Sequence, residues 1–329
     1  MRRTLSARLD RFPLSRPFRI SRGVKTAADV VTVSISQDGI AGHGEGVPYP
    51  RYGESLESVL AQVEAGCEFV ESGGSRIDLL TSIPPGAARN AVDCALWDLE
   101  ARLSGQTVAE IIGAPEPQPL VSALTIGIDD PRVMAAAAAK LAAAPLLKIK
   151  VDAVDPAAAI RAVRAVAPEA ALIVDPNESW DQALVKQMQE VLVEARVSLL
   201  EQPVPADRDD WLENFMPAVP ICADEAVHIA ADLPRVARLY QAINVKLDKA
   251  GGLTGALQIA DAARALGLGL MTGCMISSSL SIAPALHVAR RSDFVDLDGP
   301  LWLKDDYDGG VSDDVGRIVP PARGFWGSA

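Results

Sequence analysis

Histidine is scarce in this 329-residue chain. His43, His228 and His287 show no HxxxH or HExxH spacing, which argues against a zinc site. Cysteine is little used. Cys67, Cys94, Cys222 and Cys274 stand far apart, with no CxxC pair and no disulfide framework, so a reducing cytoplasm fits. Basic residues are in deficit: 31 against 43 acidic ones leave a formal net charge of −12. That balance argues against nucleic acid or an anionic membrane as partner and is compatible with a divalent-cation site. No uninterrupted apolar run reaches a membrane span of about 18 residues. The Ala-rich stretch Val133–Leu147 is broken by Lys140 and Pro145, and reads as a buried helix. The basic start MRRTLSARLDRFPLSRPF has no apolar signal-peptide core. A GxSxG elbow is missing, and Gly251-Gly252 belongs to no GxGxxG or GKS pattern, which leaves serine-hydrolase and nucleotide chemistry without support. The five tryptophans are dispersed, as core residues would be.

What is present is apolar residue at 49%, too much for a disordered chain, and length enough for two domains with a large core. Val30–Ser36 (VVTVSIS) alternates like a strand, and Gly39 and Gly42 punctuate the turn after it. Ser55–Ser72 has helical spacing. Ala87–Leu103 is a strong amphipathic helix, and Gly113 stops the helix that follows. These elements suggest an α+β domain ending near residue 120. Beyond it, short apolar runs recur, most ending on a polar group: Ser122–Ile126, Leu146–Lys150, Ala171–Asp175, Val197–Glu201, Pro220–Asp224, Ala242–Lys246, Leu268–Thr272 and Asp293–Asp296. The ends Lys150, Asp175, Glu201, Asp224 and Lys246 follow one another at 25, 26, 23 and 22 residues. Helical segments such as Pro156–Val166 and Leu253–Leu266 lie between, so the pattern is that of parallel βα units. A doubly wound sheet competes with a closed barrel. The barrel is preferred because it gathers the strand C-termini, and their polar residues, on one face.

Asp175, Glu201 and Asp224 end three consecutive strands, a hard-oxygen trio suited to Mg²⁺. The plain alternative is that each acid caps the next helix. Lys148 and Lys150 share one side of their strand by period two, and Lys246 ends a strand beyond the acids. Lysines inside a barrel are expensive unless used, although a structural charge network with the acids is the competing account. Mutual repulsion and a nearby Mg²⁺ are expected to lower a lysine pKa toward the working pH. With Mg²⁺ on a substrate carboxylate stabilising an enediolate, one lysine takes the α proton and the other returns one to the opposite face. Racemisation or epimerisation follows.

These residues resemble the enolase superfamily, in its muconate-lactonising-enzyme-like subgroup. The motifs are Lys148-Ile149-Lys150, VDPNESW (Val174–Trp180), LEQPVP (Leu200–Pro205), CADE (Cys222–Glu225) and NVKLDKAGGLTGAL (Asn244–Leu257), in which Lys246 rather than Lys249 matches the family lysine. Within the subgroup PFRISRG (Pro17–Gly23), GHGEGVPYPRYGES (Gly42–Ser55), GAARNAVDCALWDLEARL (Gly86–Leu103), TGCMISSSLS (Thr272–Ser281) and DLDGPLWL (Asp296–Leu303) look most like the L-Ala-D/L-Glu epimerases. The resemblance implies a modified TIM barrel of (β/α)7β type at 121–299. It implies an α+β capping domain at 1–120, completed by about 300–329. It further implies Mg²⁺ as cofactor, a dipeptide as small-molecule partner and a role in cell-wall peptide recycling; a homo-oligomer is compatible with it. Asp296 and Asp298 take the place of the acidic pair that binds the dipeptide's ammonium. Arg22 takes that of the arginine facing a substrate Glu side chain. Thr125 and Met275 are candidate substrate contacts, and Tyr49–Tyr52 a capping loop. Asp175 is followed by Pro176 where relatives often have a small residue, and Ser277–Ser279 lies where the family varies. o-Succinylbenzoate synthase, N-acylamino-acid racemase and cycloisomerase reactions use the same scaffold, and a silent binding barrel is the alternative of another class.

Overall fold

The computed structural model describes residues 3–328. Strands Thr4–Ile20, Gly23–Gln37 and Ile40–Gly46 form an antiparallel sheet in chain order. The first of them escapes the sequence reading. Its half-buried and exposed positions broadly alternate, but arginines on the outer face, together with Pro13 and Pro17, mask the period. The pairing slips between Pro13 and Phe18. Val30–Ser36 lies inside the second strand. Gly39, at φ 81°, makes the turn, whereas Gly42 belongs to the third strand. Its role there is close approach. A Cβ on Gly42, Gly44 or Gly46 would meet the carbonyl oxygens of Ala95, Ala91 and Ala87 at 2.3, 2.1 and 2.1 Å. Period two on the strand thus meshes with a four-residue ridge on the helix Ala87–Ser104. Ser55–Ser72 is two helices, Leu56–Ala65 and Cys67–Glu71, parted at Gly66.

The second layer is an eight-stranded parallel sheet with its strands in sequence order: Leu124–Ile126, Leu146–Lys150, Ala171–Asp175, Val197–Glu201, Ile221–Ala223, Ala242–Val245, Gly269–Gly273 and Phe294–Asp296. The Ala123 amide donates to the Val295 carbonyl at 2.8 Å, which joins the eighth strand to the first and closes the barrel. Seven crossovers connect the strands. The fourth carries only a 3₁₀ turn, Asp210–Asn214, in place of an α-helix. The Ala-rich helix runs from Pro131 to Lys140 and buries Met134 and Ala138 while Val133 is exposed. Val133–Leu147 is therefore not one buried helix: Leu146 and Leu147 already belong to the second strand.

Period two stacks the barrel interior. Ala123, Leu146, Ile173, Leu199, Cys222, Ala242 and Met271 form an apolar floor. Two residues further along the same strands stand Thr125, Lys148, Asp175, Glu201, Asp224 and Asn244, all buried. A packed hydrophobic layer therefore lies directly beneath the polar mouth. The C-terminal segment returns to the antiparallel sheet: Lys304 N donates to Pro13 O at 2.8 Å and Trp326 Nε1 to His43 O at 2.9 Å. All four cysteines are free thiols. Among the described residues no helix is long and apolar enough to cross a membrane.

Candidate active site

The floor dictates the mouth. Asp175, Glu201 and Asp224 come from the third, fourth and fifth strands, at most 1% exposed. Local backbone holds each one. After Asp175 the chain enters the left-handed region at Asn177 (φ 47°) and Glu178 (φ 66°), and Asn177 N donates to Asp175 Oδ1 at 2.8 Å. After Glu201, Gln202 is also left-handed, and its Oε1 accepts from Asp224 N at 2.9 Å and Ala226 N at 3.1 Å. Asn244 Nδ2 donates to Glu201 Oε1 at 2.8 Å.

Amines interleave the acids. Lys148 Nζ lies 3.1 Å from Asp175, 2.7 Å from Glu201 and 2.6 Å from Asp296. Lys150 lies 2.5 Å from Asp175 and 3.1 Å from Asn177 Oδ1. Lys246 and Lys249 share Asp224, each at 2.6 Å. Among the described residues no three acid, histidine or cysteine side chains close on one point, because ammonium groups stand between them. The donor set still fits a hard cation. Three carboxylates occupy one layer. Glu201 Oε2, although in ion-pair range of Lys148, has no donor in hydrogen-bonding geometry. Burial and the Asp175 charge push the Glu201 carboxyl up to about 7 despite Lys148, a penalty that a cation beside it would relieve. At Lys246 and Lys148 the neighbouring acids oppose the expected lowering. Burial lowers Lys246, but Asp224 and Glu201 outweigh it and hold the ammonium above its usual range; Lys148 is held up in the same way.

Lys150 and Lys246 stand four residues beyond the floor residues Leu146 and Ala242, at one height. They come from the second and sixth of eight strands, which face each other across a closed ring. The acid trio occupies the arc between them. The opposite arc carries the rest of the pair and its neighbours: Asp298 Oδ2 accepts from Thr125 N at 2.7 Å and Trp302 Nε1 at 3.2 Å, and Thr125 Oγ1 lies 3.5 Å from Asp296. Burial and the Asp296 charge push Asp298 up to about 6. Lys148, Lys150, Asp224, Lys246, Thr125, Met275, Asp296, Asp298 and Arg22 all line one cavity, with Asp175 and Glu201 beneath it.

The roof comes from the sheet. Arg22 sits at the turn between the first two strands, and its guanidinium is committed to protein acceptors. It reaches Glu225 at 2.6 Å, Glu178 at 3.2 Å, Asn177 O at 3.0 Å and the Tyr49 hydroxyl at 2.9 Å. Arg51, from the 3₁₀ turn Pro50–Tyr52, grips both oxygens of Glu178 at 2.7 and 2.8 Å. Asn177, Glu225 and Lys25 also line the cavity, and Glu178 anchors the roof through Arg22 and Arg51. Asn177, Glu178 and Glu225 lie within three residues of Asp175 or Asp224, inside motifs already noted, whereas Lys25 gives no local signal. Gly251 and Gly252, at φ 71° and 106°, explain themselves here: they end the turn after Lys246 and admit Arg89 and Asp93 of the Ala87–Ser104 helix.

A capped barrel with strand-end acids flanked by opposed lysines defines the class of enolase-type barrel enzymes. Residues 2–113 match the mandelate racemase / muconate lactonizing enzyme N-terminal domain, and residues 133–324 the enolase C-terminal domain-like model. The chain belongs to this mandelate racemase / muconate lactonizing enzyme branch of the enolase superfamily. It is 44% identical to the L-Ala-D/L-Glu epimerase of Escherichia coli (strain K12), over 96% of this chain and 99% of that one. It is 39% identical to an N-acetyl-D-glutamate racemase of Pseudoalteromonas, over 91% and 96%. Among solved structures it resembles an Agrobacterium tumefaciens enolase family member with homology to dipeptide epimerases, with bound sodium and L-Ala-L-Glu (TM-score 0.96, 48% identity, 99% and 100% covered). A dipeptide epimerase from Methylococcus capsulatus complexed with Mg and L-Arg-D-Lys is also similar (TM-score 0.89, 32% identity, 98% of each chain).

Proposed function

We propose that this chain is a Mg²⁺-dependent isomerase that epimerises dipeptides, L-Ala-D/L-Glu foremost, with one lysine taking the α proton and the opposite lysine delivering its own to the other face. The observation that carries the reading is the placement of Lys150 and Lys246 at one height on opposed strands of a closed barrel. Either lysine reaches only one face of a planar carbon held between them, so removal on one side and return on the other inverts it. Asp175, Glu201 and Asp224 would hold Mg²⁺, which supplies positive charge against a substrate carboxylate and makes the neighbouring proton more acidic. Lys148, in contact with two of those acids and with Asp296, keeps the trio in position. Asp296 and Asp298 form the ammonium site. Two buried carboxylates side by side, one already pushed up by burial and by the other's charge, are relieved by a bound cation. An N-acylated amino acid has no free ammonium and no need of that pair, which favours a dipeptide over the racemase alternative. The same reading puts the enzyme in the cytoplasm, with a small molecule rather than nucleic acid or membrane as its partner; the four free thiols and the charge of −12 support it.

The test is α-carbon deuterium incorporation in D₂O with Mg²⁺, followed by mass and chirality, over a dipeptide set that includes L-Ala-L-Glu, L-Ala-D-Glu and N-acetyl-glutamate as control. Exchange with inversion on the Ala-Glu pair is expected. Exchange confined to the N-acyl compound, or none, sinks the assignment.

A further inference from the structure

Five cations line the cavity: Arg22, Lys25, Lys148, Lys150 and Lys246. Four of them stand within 3.2 Å of a carboxylate oxygen. Lys25 is the exception. Among the described residues its amine has neither an ion pair nor a hydrogen bond, and it lies over the Tyr49 ring, 5.3 Å from the centroid. It belongs to the roof, opposite Phe18 in the pairing of the first two strands. Desolvation lowers its pKa, and the charges of Lys246 and Arg22 act in the same direction against the pull of Asp248 and Asp29. A desolvated ammonium without a counter-ion is unfavourable and is relieved by an anion entering the cavity. Arg22, expected to meet an acidic substrate side chain, already spends both terminal nitrogens on Glu225, Glu178, Asn177 and Tyr49.

We infer that Lys25 is the specificity-determining residue for the second position of the dipeptide, where it pairs with a side-chain carboxylate that Arg22 is not free to hold. The inference rests on the dipeptide reading. With the ammonium at Asp296 and Asp298 and the reacting carbon between Lys150 and Lys246, the remaining direction for the second side chain is upward. There the hairpin residues Phe18, Ile20 and Lys25 wall the cavity.

The experiment compares calorimetric Kd values for L-Ala-L-Glu and L-Ala-L-Gln, with Mg²⁺, in the wild-type chain and in Lys25→Met, Lys25→Arg and Arg22→Gln. The wild type is expected to favour the Glu dipeptide. Lys25→Met should lower that Glu/Gln ratio by about tenfold, or 1.4 kcal/mol, and Lys25→Arg should restore most of it. A Lys25→Met ratio within about twofold of wild type (well under 1 kcal/mol), equal weakening of both dipeptides, or a ratio lost only in Arg22→Gln overturns the inference. The wild type is assayed in parallel for α-deuterium exchange. Absence of exchange would refute the epimerase reading, while the Kd ratio still decides the role of Lys25.

Discussion

Two sets of buried carboxyls, equally far from water, behave in opposite ways. In the seam between the antiparallel sheet with its helix and the barrel, Glu45 accepts from Ser278 N and Oγ. Asp93 accepts from Thr254 N at 2.9 Å and Oγ1 at 2.6 Å, and Asp248 from Asn90 Nδ2 and Val47 N, both at 2.8 Å. Burial pushes these three up to about 8, 6 and 7. At the barrel mouth burial acts in the same direction, but Lys150 and Lys148 outweigh it and hold Asp175 down to about 2; Lys246 and Lys249 hold Asp224 well below its ordinary range. Neutral dipoles satisfy a carboxyl without charging it, whereas two close amines keep Asp175 and Asp224 ionised; at Glu201, paired with Lys148 alone, burial and the Asp175 charge win and push the carboxyl up to about 7. Depth alone therefore says nothing about which acids are ionised. The partners do.

The contrast can be broken most severely at the mouth. Lys150→Ala and Lys246→Ala should each lower epimerisation by at least about 10³-fold in the α-deuterium assay. Both should stay folded by circular dichroism, because Asp175 keeps Lys148 and Asp224 keeps Lys249. Normal inversion by either variant would end the two-base scheme. Asp298→Asn keeps the acceptor for Thr125 N but removes a charge from the ammonium site. KM for L-Ala-L-Glu should rise by about tenfold, the size of one charge-assisted hydrogen bond, and an unchanged KM would take Asp298 out of that site. At the seam Asp93→Ala strands Thr254 N and Oγ1. Urea titration should show a loss of about 1–3 kcal/mol, and an unchanged midpoint would mean that the seam is wet.

A further effect at the seam is one of pH. Glu45 holds its proton to about 8 in the folded chain, against an ordinary value of 4.5. Between those values the folded state keeps a proton that the unfolded state has released, so this residue makes stability fall as pH rises, and no further above about 8. Glu45→Gln has no proton to lose. Its melting temperature relative to wild type should therefore climb between about pH 5 and about pH 8. A difference that stays flat would show that Glu45 is ionised in its pocket.

Much of the mouth was legible in the sequence because strand periodicity is local. Lys148 and Lys150, the ends at Asp175, Glu201 and Asp224, and the spacing to Lys246 all follow from period two and a repeat of about one βα unit. The seam was not legible. Asp93 finds Thr254 across 161 positions and Asn90 finds Asp248 across 158, and no local pattern announces such pairs. The strand Thr4–Ile20 was hidden for another reason: an edge exposed to water tolerates arginine and proline, so hydrophobic alternation fades. Gly42 reads as a turn because a glycine that clears room for a helix looks the same in sequence as one that bends a chain. Lys25 stayed unnoticed because an unpaired cation is defined by what its neighbours have already taken.

The two-residue offset between apolar floor and reactive side chains has a consequence for how such a scaffold changes over time. Deleting one residue within any of these strands would swing its functional group to the outer wall and an aliphatic one into the mouth. Sliding is closed to the barrel as a route to new chemistry. Innovation has to proceed by substitution at fixed heights, or by rebuilding the hairpin overhead, whose register belongs to the antiparallel sheet and not to the barrel.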